Sequence, residues 1–312
     1  MIGAVDIGGT KLAVGVVDED GRVIEKTEVP TNPARGFDHA MREISTLLRE
    51  CALRAGRPLR GVGIGCTGQV DSATGVLGEV HNLPGWKGGN PVAFLCQEFG
   101  VPVALENDAD AAALGELYWG AGKSHTPMLY VTVGTGIGVS VIRDGKIYRG
   151  AGHCHPEIGH QVIDPSGPLC TCGVRGCWES LASGPAIVAW IERNAPQGYA
   201  CSGLTAREVC CRAQAGDEWA KRAVEHVGYY LSLGLANLVN IFAPQAIVLG
   251  GSVMKSAPLF LPRIHEVIRE NCTLVPHERM VITLASLGPE VALIGAAQVW
   301  HHRFERCGGR IE

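Results

Sequence analysis

The sequence predicts an α/β protein of two lobes. Three observations carry that expectation: the chain length, a strand meander with a glycine-rich first turn that occurs twice, and stretches of helical periodicity between and after the two copies. At 312 residues the chain is long for one core and comfortable for two, at roughly 150 residues per domain. Two lobes invite a ligand cleft between them.

The first copy opens with Ile2 to Ile7, a short apolar run that ends in Asp6 and a glycine pair. It continues in Leu12 to Val17 and turns through Asp18-Glu19-Asp20-Gly21 into Arg22-Val23-Ile24. The second copy has Met128 to Val133, the turn Gly134-Thr135-Gly136-Ile137-Gly138, Val139 to Ile142, an Asp144-Gly145 turn and Ile147-Tyr148. Between the copies lie a helical stretch around His39 to Ala55, a strand at Gly61 to Gly65, and an apolar strand Val101 to Leu105 that feeds Asn107-Asp108 and the alanine-rich Ala109 to Leu117. From Gly150 to Cys177, Gly, Pro, His and Cys cluster without apolar periodicity, and such a loop needs a staple or a function. Beyond it, Pro185 to Arg193, Ala206 to Ala215 and Asp217 to Phe242 read as helices and Ala246 to Leu249 as a strand ending at Gly250-Gly251. Pro258 to Asn271 and Ala292 to Arg303 read as the last helices, and the lobes are expected to span 1–118 and 119–291.

Composition excludes several classes. With 46% hydrophobic and 19% charged residues the chain is neither disordered nor fibrous, and 42 glycines with 6% aromatics point to tight turns and close backbone approaches. A net charge of −4 leaves no excess of positive charge for a phosphate backbone, so nucleic acid is not the expected partner. Met1 to Asp6 has no basic segment followed by an apolar core, which makes the cytoplasm the expected location. Val227 to Met254 lacks charge, but Asn237, Asn240, Pro244 and Gln245 interrupt it, so it reads as a buried helix, a proline break and a buried strand rather than a membrane span.

Asp6-Ile7-Gly8-Gly9-Thr10-Lys11 sets a carboxylate at a strand end, then two glycines whose amides can point outward, then a hydroxyl and an ammonium: a cradle for phosphate and Mg²⁺, or merely a tight hairpin. The second loop, Gly134-Thr135-Gly136, favours the cradle, because two such loops from two lobes can face one another. Gly63 to Gly68 matches a dinucleotide fingerprint on paper, yet a turn-rich stretch follows it instead of a helix, so that reading is rejected. Glu106-Asn107-Asp108-Ala109-Asp110 sits where a strand passes into a helix. Asn107 or Asp108 can simply cap that helix, whereas beside two phosphate loops an Asp is a natural general base for a hydroxyl.

Twelve cysteines in the expected compartment argue for thiols or metal ligands, not a disulfide framework. His160, Cys170, Cys172 and Cys177 form a donor set for tetrahedral zinc, with His153 and His155 as alternatives to His160. Four protein ligands leave no open position, so the metal is expected to be structural and to hold the loop bearing Glu157, His160 and Glu179. Those residues with Asn107 and Asp108 offer carboxylates and neutral donors, which suit a polyhydroxylated neutral ligand. Cys51, Cys66, Cys96, Cys210, Cys211 and Cys272 read as packing thiols; Trp86 and Trp178 read as core, with a sugar-ring wall as the alternative.

Along essentially the whole chain these residues resemble the ROK family, whose members are sugar kinases and related sugar-responsive repressors. Asp6 to Lys11 is similar to its first phosphate motif, Glu106-Asn107-Asp108 to its catalytic segment, Gly134 to Gly138 to its second phosphate motif, and Glu157-Ile158-Gly159-His160 with Cys170, Cys172, Cys177 and Glu179 to its sugar and zinc signature. The resemblance implies a two-lobed actin-like ATPase (ribonuclease H-like) fold, with the C-terminal helix 292–312 returning to the first lobe. It also implies ATP-dependent phosphorylation of a hexose at its 6-hydroxyl, in a homodimer or homotetramer. By this resemblance Asp108 removes the hydroxyl proton, Asn107, Glu157, His160 and Glu179 bind sugar hydroxyls, and Gly250-Gly251 approaches the adenosine. Charge neutralisation would come from Mg²⁺, glycine amides and Lys11. Asn82-Leu83-Pro84-Gly85-Trp86 and the Cys-rich loop resemble members that act on glucose, the expected sugar. His155-Pro156-Glu157 departs from them, since they carry glycine before that glutamate, and is closer to members that act on fructose. N-acetylmannosamine kinases share much of the signature, and relaxed action on mannose is compatible with it. The rival class is a sugar-sensing repressor, which carries a helix-turn-helix ahead of its lobes; this chain reaches Asp6 at once, and Asp108 favours the enzyme.

Overall fold

In a computed structural model, which describes residues 1–80 and 82–306, the chain forms two compact units. Met1–His125, Ser140–Pro156 and the described residues from Ala285 onward make the first; Thr126–Val139 and Glu157–Leu284 make the second. In the first, β1 (Ile2–Ile7), β2 (Lys11–Val17) and β3 (Val23–Pro30) run as an antiparallel meander. The amphipathic α1 (Phe37–Ala55) covers one sheet face, burying Met41, Ile44 and Leu48 in a core with Val5, Ile7 and Leu12, and it stops at Gly56 in the left-handed conformation. β4 (Gly61–Cys66) joins β1 in parallel.

A small hairpin of β5 (Val70–Asp71) and β6 (Val76–Leu77) follows, then α2 (Pro91–Phe99), whose first turn is capped by Asn90 accepting from the Ala93 amide at 2.8 Å. Neither the hairpin nor α2 is legible in the sequence, because two-residue strands show no period and the mostly apolar Pro91–Phe99 has no clear polar face. β7 (Val103–Asn107) pairs with β4 and completes the order β3-β2-β1-β4-β7. It runs two residues beyond the expected Leu105, and it begins after Pro102, which has no N–H to give a ladder. α3 (Asp108–Trp119) starts immediately, so Asn107 and Asp108 stand at a strand-to-helix joint.

In the second unit β8 (Met128–Val133) leads through the Gly134 turn into β9 (Ile137–Arg143), whose end and its partner β10 (Lys146–Ile147) are counted with the first unit. The short α4 (Trp178–Ala182), α5 (Gly184–Asn194), α6 (Ala206–Gln214) and α7 (Glu218–Phe242) follow the Cys-rich loop. α7 is capped by Asp217 and ends just before Pro244, and among the described residues no helix is long and apolar enough to cross a membrane. β11 (Ala246–Gly250) runs parallel to β8 and pairs Gly250 with Thr132. α8 (Leu261–Asn271) starts three residues after the expected Pro258, which lies in a preceding 3₁₀ turn. The edge strand β12 (Val281–Leu284), also missed, pairs with β11.

α9 (Val291–His301) packs on the first unit's sheet, joining Leu293, Ala296, Ala297 and Trp300 to Ile2, Ala4, Ala13 and Val17. Gly63 permits this approach, since a Cβ there would lie 1.8 Å from the Ala296 carbonyl oxygen. The part of the expected C-terminal helix beyond residue 306 lies outside the described residues. Glu116 of α3 is fully buried and accepts from the backbone amides of Ala121 (2.7 Å), Ser286 (3.0 Å) and Leu287 (3.0 Å). Glu116→Ala is expected to orphan all three donors, lose about 3 kcal/mol of stability and lower the melting temperature by roughly 5–10 °C in a thermal scan; an unchanged melting temperature would reject the clamp.

Candidate active site and metal centre

The β1–β2 turn closes with the Gly8 amide donating to the Lys11 carbonyl at 3.0 Å, and the Thr31 hydroxyl donates to the Gly8 carbonyl at 2.7 Å. A Cβ on Gly9 would lie 2.5 Å from the Asn82 Cβ, so the Asn82 loop rests on this turn. Thr10 and Lys11 are exposed, and the Lys11 ammonium pairs with Glu28 at 3.0 Å.

Sheet register does the rest of the assembly in this unit. Asp6 pairs with Gly65, Gly65 with Glu106, and Cys66 with Asn107. Gly65 leaves room between Asp6 on β1 and the start of α3: a Cβ there would stand 3.9 Å from Asp6 Oδ1, 3.7 Å from Asp108 Cα and 3.2 Å from Ala111 Cβ. Burial, then the charge of Asp108, pushes Asp6 up to about 7. Burial likewise pushes Asp108 above its ordinary value, against the Ala109 amide and the nearby His155. Two carboxylates so raised form a pair that a divalent cation or a proton stabilises. Asn107 does cap α3: its Oδ1 accepts from the Ala109 amide at 2.9 Å while its Nδ2 donates to the Gly68 carbonyl at 3.0 Å. Asp108, the first helical residue, is only partly buried.

Around this joint lies a network that is not legible in the sequence. The Arg149 guanidinium reaches both Glu106 and Asp110; Ser72 donates to Glu106 at 2.9 Å, Ser140 to Asp110 at 2.5 Å, and His155 Nδ1 meets Asp110 Oδ2 at 2.8 Å. Burial pushes Asp110 upward, but the His155 hydrogen bond, the charges of His155 and Arg149 and the Ser140 hydroxyl outweigh it and hold the carboxyl below its usual range. Two acids flanking Asn107-Asp108 in the sequence were the available signal; nothing local pointed to Arg149.

In the second unit the predicted residues form one neighbourhood. Gly251 follows β11 at φ +91°, and a Cβ on it would lie 2.3 Å from the Val133 carbonyl, so Gly250-Gly251 sits against the end of β8 where Gly134-Thr135-Gly136 begins. The Gly184 amide donates to the Gly134 carbonyl at 2.8 Å. Glu179 accepts from the Ile137 amide at 3.0 Å, and a Cβ on Gly136 would clash with its carboxylate at 2.4 Å. The Ile158–His160 turn packs on the same strand, since a Cβ on Gly159 would stand 2.0 Å from the Ile137 carbonyl, and Glu157 beside it is exposed.

Cys170, Cys172, Cys177 and His160 each present a ligand atom, all within 4.8 Å of one another. Cys172 and Cys177 sulfurs are 3.5 Å apart, and Cys170 Sγ is 3.5 Å from His160 Nδ1. Tetrahedral zinc with Zn–S bonds of about 2.3 Å needs sulfurs roughly 3.7 Å apart, so the set fits. The Val174 amide holds Cys172 below the ordinary thiol value, whereas burial and the neighbouring sulfurs push Cys177 up to about 12. His155 is turned to Asp110, which leaves His160 as the imidazole of the set. Trp86, on the Pro33 carbonyl and edge-on to Phe37, and Trp178, against Gly234, are core residues.

The chain is 30% identical to a glucokinase of Thermotoga maritima over 98% of both chains, and 35% identical to an N-acetylmannosamine kinase of Citrobacter koseri over 94% of this chain and 96% of that one. A crystal structure of a ROK family glucokinase from Streptomyces griseus, in complex with glucose and AMPPNP, superposes with a TM-score of 0.81 at 32% identity, covering 96% of this chain and 98% of that one. The two α/β units thus have the actin-like ATPase fold of the ROK sugar kinases. The description "ROK family" matches residues 2–303, and with relatives this similar over nearly their full lengths the chain belongs to the ROK family.

Proposed function

We propose that the protein transfers the γ-phosphoryl group of ATP to the 6-hydroxyl of a hexose, with glucose preferred. One observation carries this reading: Asp108 stands at the head of α3, made more basic by desolvation and close enough to Asp6 for its charge to raise that carboxyl too. Asp108 takes the hydroxyl proton as the new O–P bond forms and the bond to ADP breaks; such a base contributes about a hundredfold to ten-thousandfold. Asn107, Glu157, Glu179 and the His160 nitrogen turned away from Cys170 take the other sugar hydroxyls. Gly8, Gly9, Thr10 and Lys11, with Gly134, Thr135 and Gly136, bind phosphates; Gly250 and Gly251 bind the adenosine. Lys11 must release Glu28 to take part. Asp6 and Thr10 are the oxygen donors that would hold Mg²⁺, which when bound neutralises phosphate charge. Zinc held by His160, Cys170, Cys172 and Cys177 keeps the sugar loop in place.

The likeness to proteins named for glucose and for N-acetylmannosamine leaves the sugar to experiment. A coupled assay of ADP release, run with Mg-ATP across glucose, mannose, fructose, N-acetylglucosamine and N-acetylmannosamine at matched concentrations, is expected to give the highest kcat/KM with glucose. Preference for another sugar keeps the chemistry and changes the substrate; no turnover on any favours a sugar-sensing regulator.

A further inference from the structure

Arg149 lies just beyond β10, far in sequence from the strand-to-helix joint, yet its guanidinium binds the acids on both sides of Asn107-Asp108. Nη2 reaches Glu106, the residue before the pair, and Nη1 lies 2.5 Å from Asp110 Oδ2, the second residue after it. These groups are withdrawn from solvent, Arg149 and Glu106 at 15% side-chain exposure and Asp110 at 1%. Asp110 is saturated: Ser140 takes Oδ1, and Arg149 and His155 share Oδ2. Glu106 takes a further bond from Ser72. One planar, permanently charged fork thus spans the turn that carries Asp108, from a segment that contributes no backbone to it.

We propose that Arg149 is a positioning residue for phosphoryl transfer: by tying Glu106 to Asp110 it fixes the backbone of the Asn107-Asp108 turn, and so sets where the base stands. The inference rests on the kinase reading above. Its physical basis is that buried charge pairs contribute little net stability but enforce geometry, while a misplacement of about 1 Å at a reacting group costs on the order of a hundredfold in rate. A lysine at 149 keeps the charge but, as a point donor on a flexible stem, cannot hold two carboxylates in one plane.

The test compares wild type with Arg149→Lys and with a triple variant, Glu106→Gln/Asp110→Asn/Arg149→Met, which removes the guanidinium together with both carboxylates it binds, so that neither acid is left without it. For each, kcat, KM for sugar and for ATP, melting temperature and zinc content are measured on the full-length protein. Arg149→Lys is expected to lose roughly tenfold to a hundredfold in kcat, with KM for ATP within about twofold and the melting temperature and zinc content near wild type. The triple variant is expected to fold and to remain as slow or slower. Wild-type kcat in either variant overturns the positioning role, as does a kcat loss that tracks a fall in melting temperature at the assay temperature. Absence of turnover in wild type on every sugar instead defeats the kinase reading, and this proposal with it.

Discussion

Asp108→Asn is expected to lower kcat by about a thousandfold or more while sugar binding stays measurable by calorimetry. The substitution is isosteric, keeps an oxygen for the Ala109 amide that Asp108 Oδ1 accepts from at 2.9 Å, and removes only the capacity to take a proton. Its effect on stability should run the other way. Folding raises the Asp108 pKa, chiefly through burial, so the native state holds the proton more tightly than the unfolded chain. Stability from that preference is present at low pH and is lost as pH rises from the unfolded value, about 4, through the folded one. Above its folded value the wild type therefore carries a charge near Asp6 that the variant lacks. The variant should melt at an equal or higher temperature at alkaline pH, with the gap closing as pH falls towards the unfolded value. Wild-type turnover in Asp108→Asn would falsify the base assignment; a variant that melts well below wild type at alkaline pH would remove the repulsion.

Strand and helix order was legible because the apolar runs are continuous and each is closed by a glycine turn or a capping residue, as at Asp6-Ile7-Gly8-Gly9 and Asp217. Spacing alone also brought Cys170, Cys172 and Cys177 together with a histidine, since ligands on one loop need no long-range contact to be read together, and the fold selects His160 over His153 and His155. What stayed hidden depends on register. Gly65 between Asp6 and Glu106 is informative only once β1, β4 and β7 are aligned, and a fingerprint test on Gly63 to Gly68 could reject one fold without finding the role of either glycine. Arg149 and His155 were hidden for the same reason: each meets Asp110 from about 40 positions away, 39 and 45 residues along the chain. His155 sat inside a His and Cys cluster and read as a ligand candidate, whereas its nitrogen serves a carboxylate.

Cys172→Ser separates the metal from the sugar contacts, because Cys172 is exposed and belongs only to the sulfur cluster, whereas His160 belongs to both. Besides the bridges Val162–Cys177 and Leu169–Arg175, the loop it closes is held by single backbone bonds such as Ile163 to Gly176 at 2.9 Å, Cys170 to Val174 at 2.8 Å and Gly176 to Pro168 at 2.9 Å. Zinc bound by such a set supplies about 10–16 kcal/mol in isolated finger peptides, against about 1 kcal/mol for each such bond. Purified wild type is therefore expected to hold about one zinc per chain by elemental analysis, and Cys172→Ser well under half of that. Cys172 itself is exposed and lies outside every helix and strand, so far-UV circular dichroism should change little. Turnover should nonetheless fall by roughly a hundredfold, because Glu157, His160 and Glu179 all stand on segments that the cluster ties together, and the KM for sugar should rise more than that for ATP. Zinc-free protein with unchanged sugar KM and turnover would show that Gly159 against Ile137, and Glu179 on the Ile137 amide, hold the sugar loop without a metal.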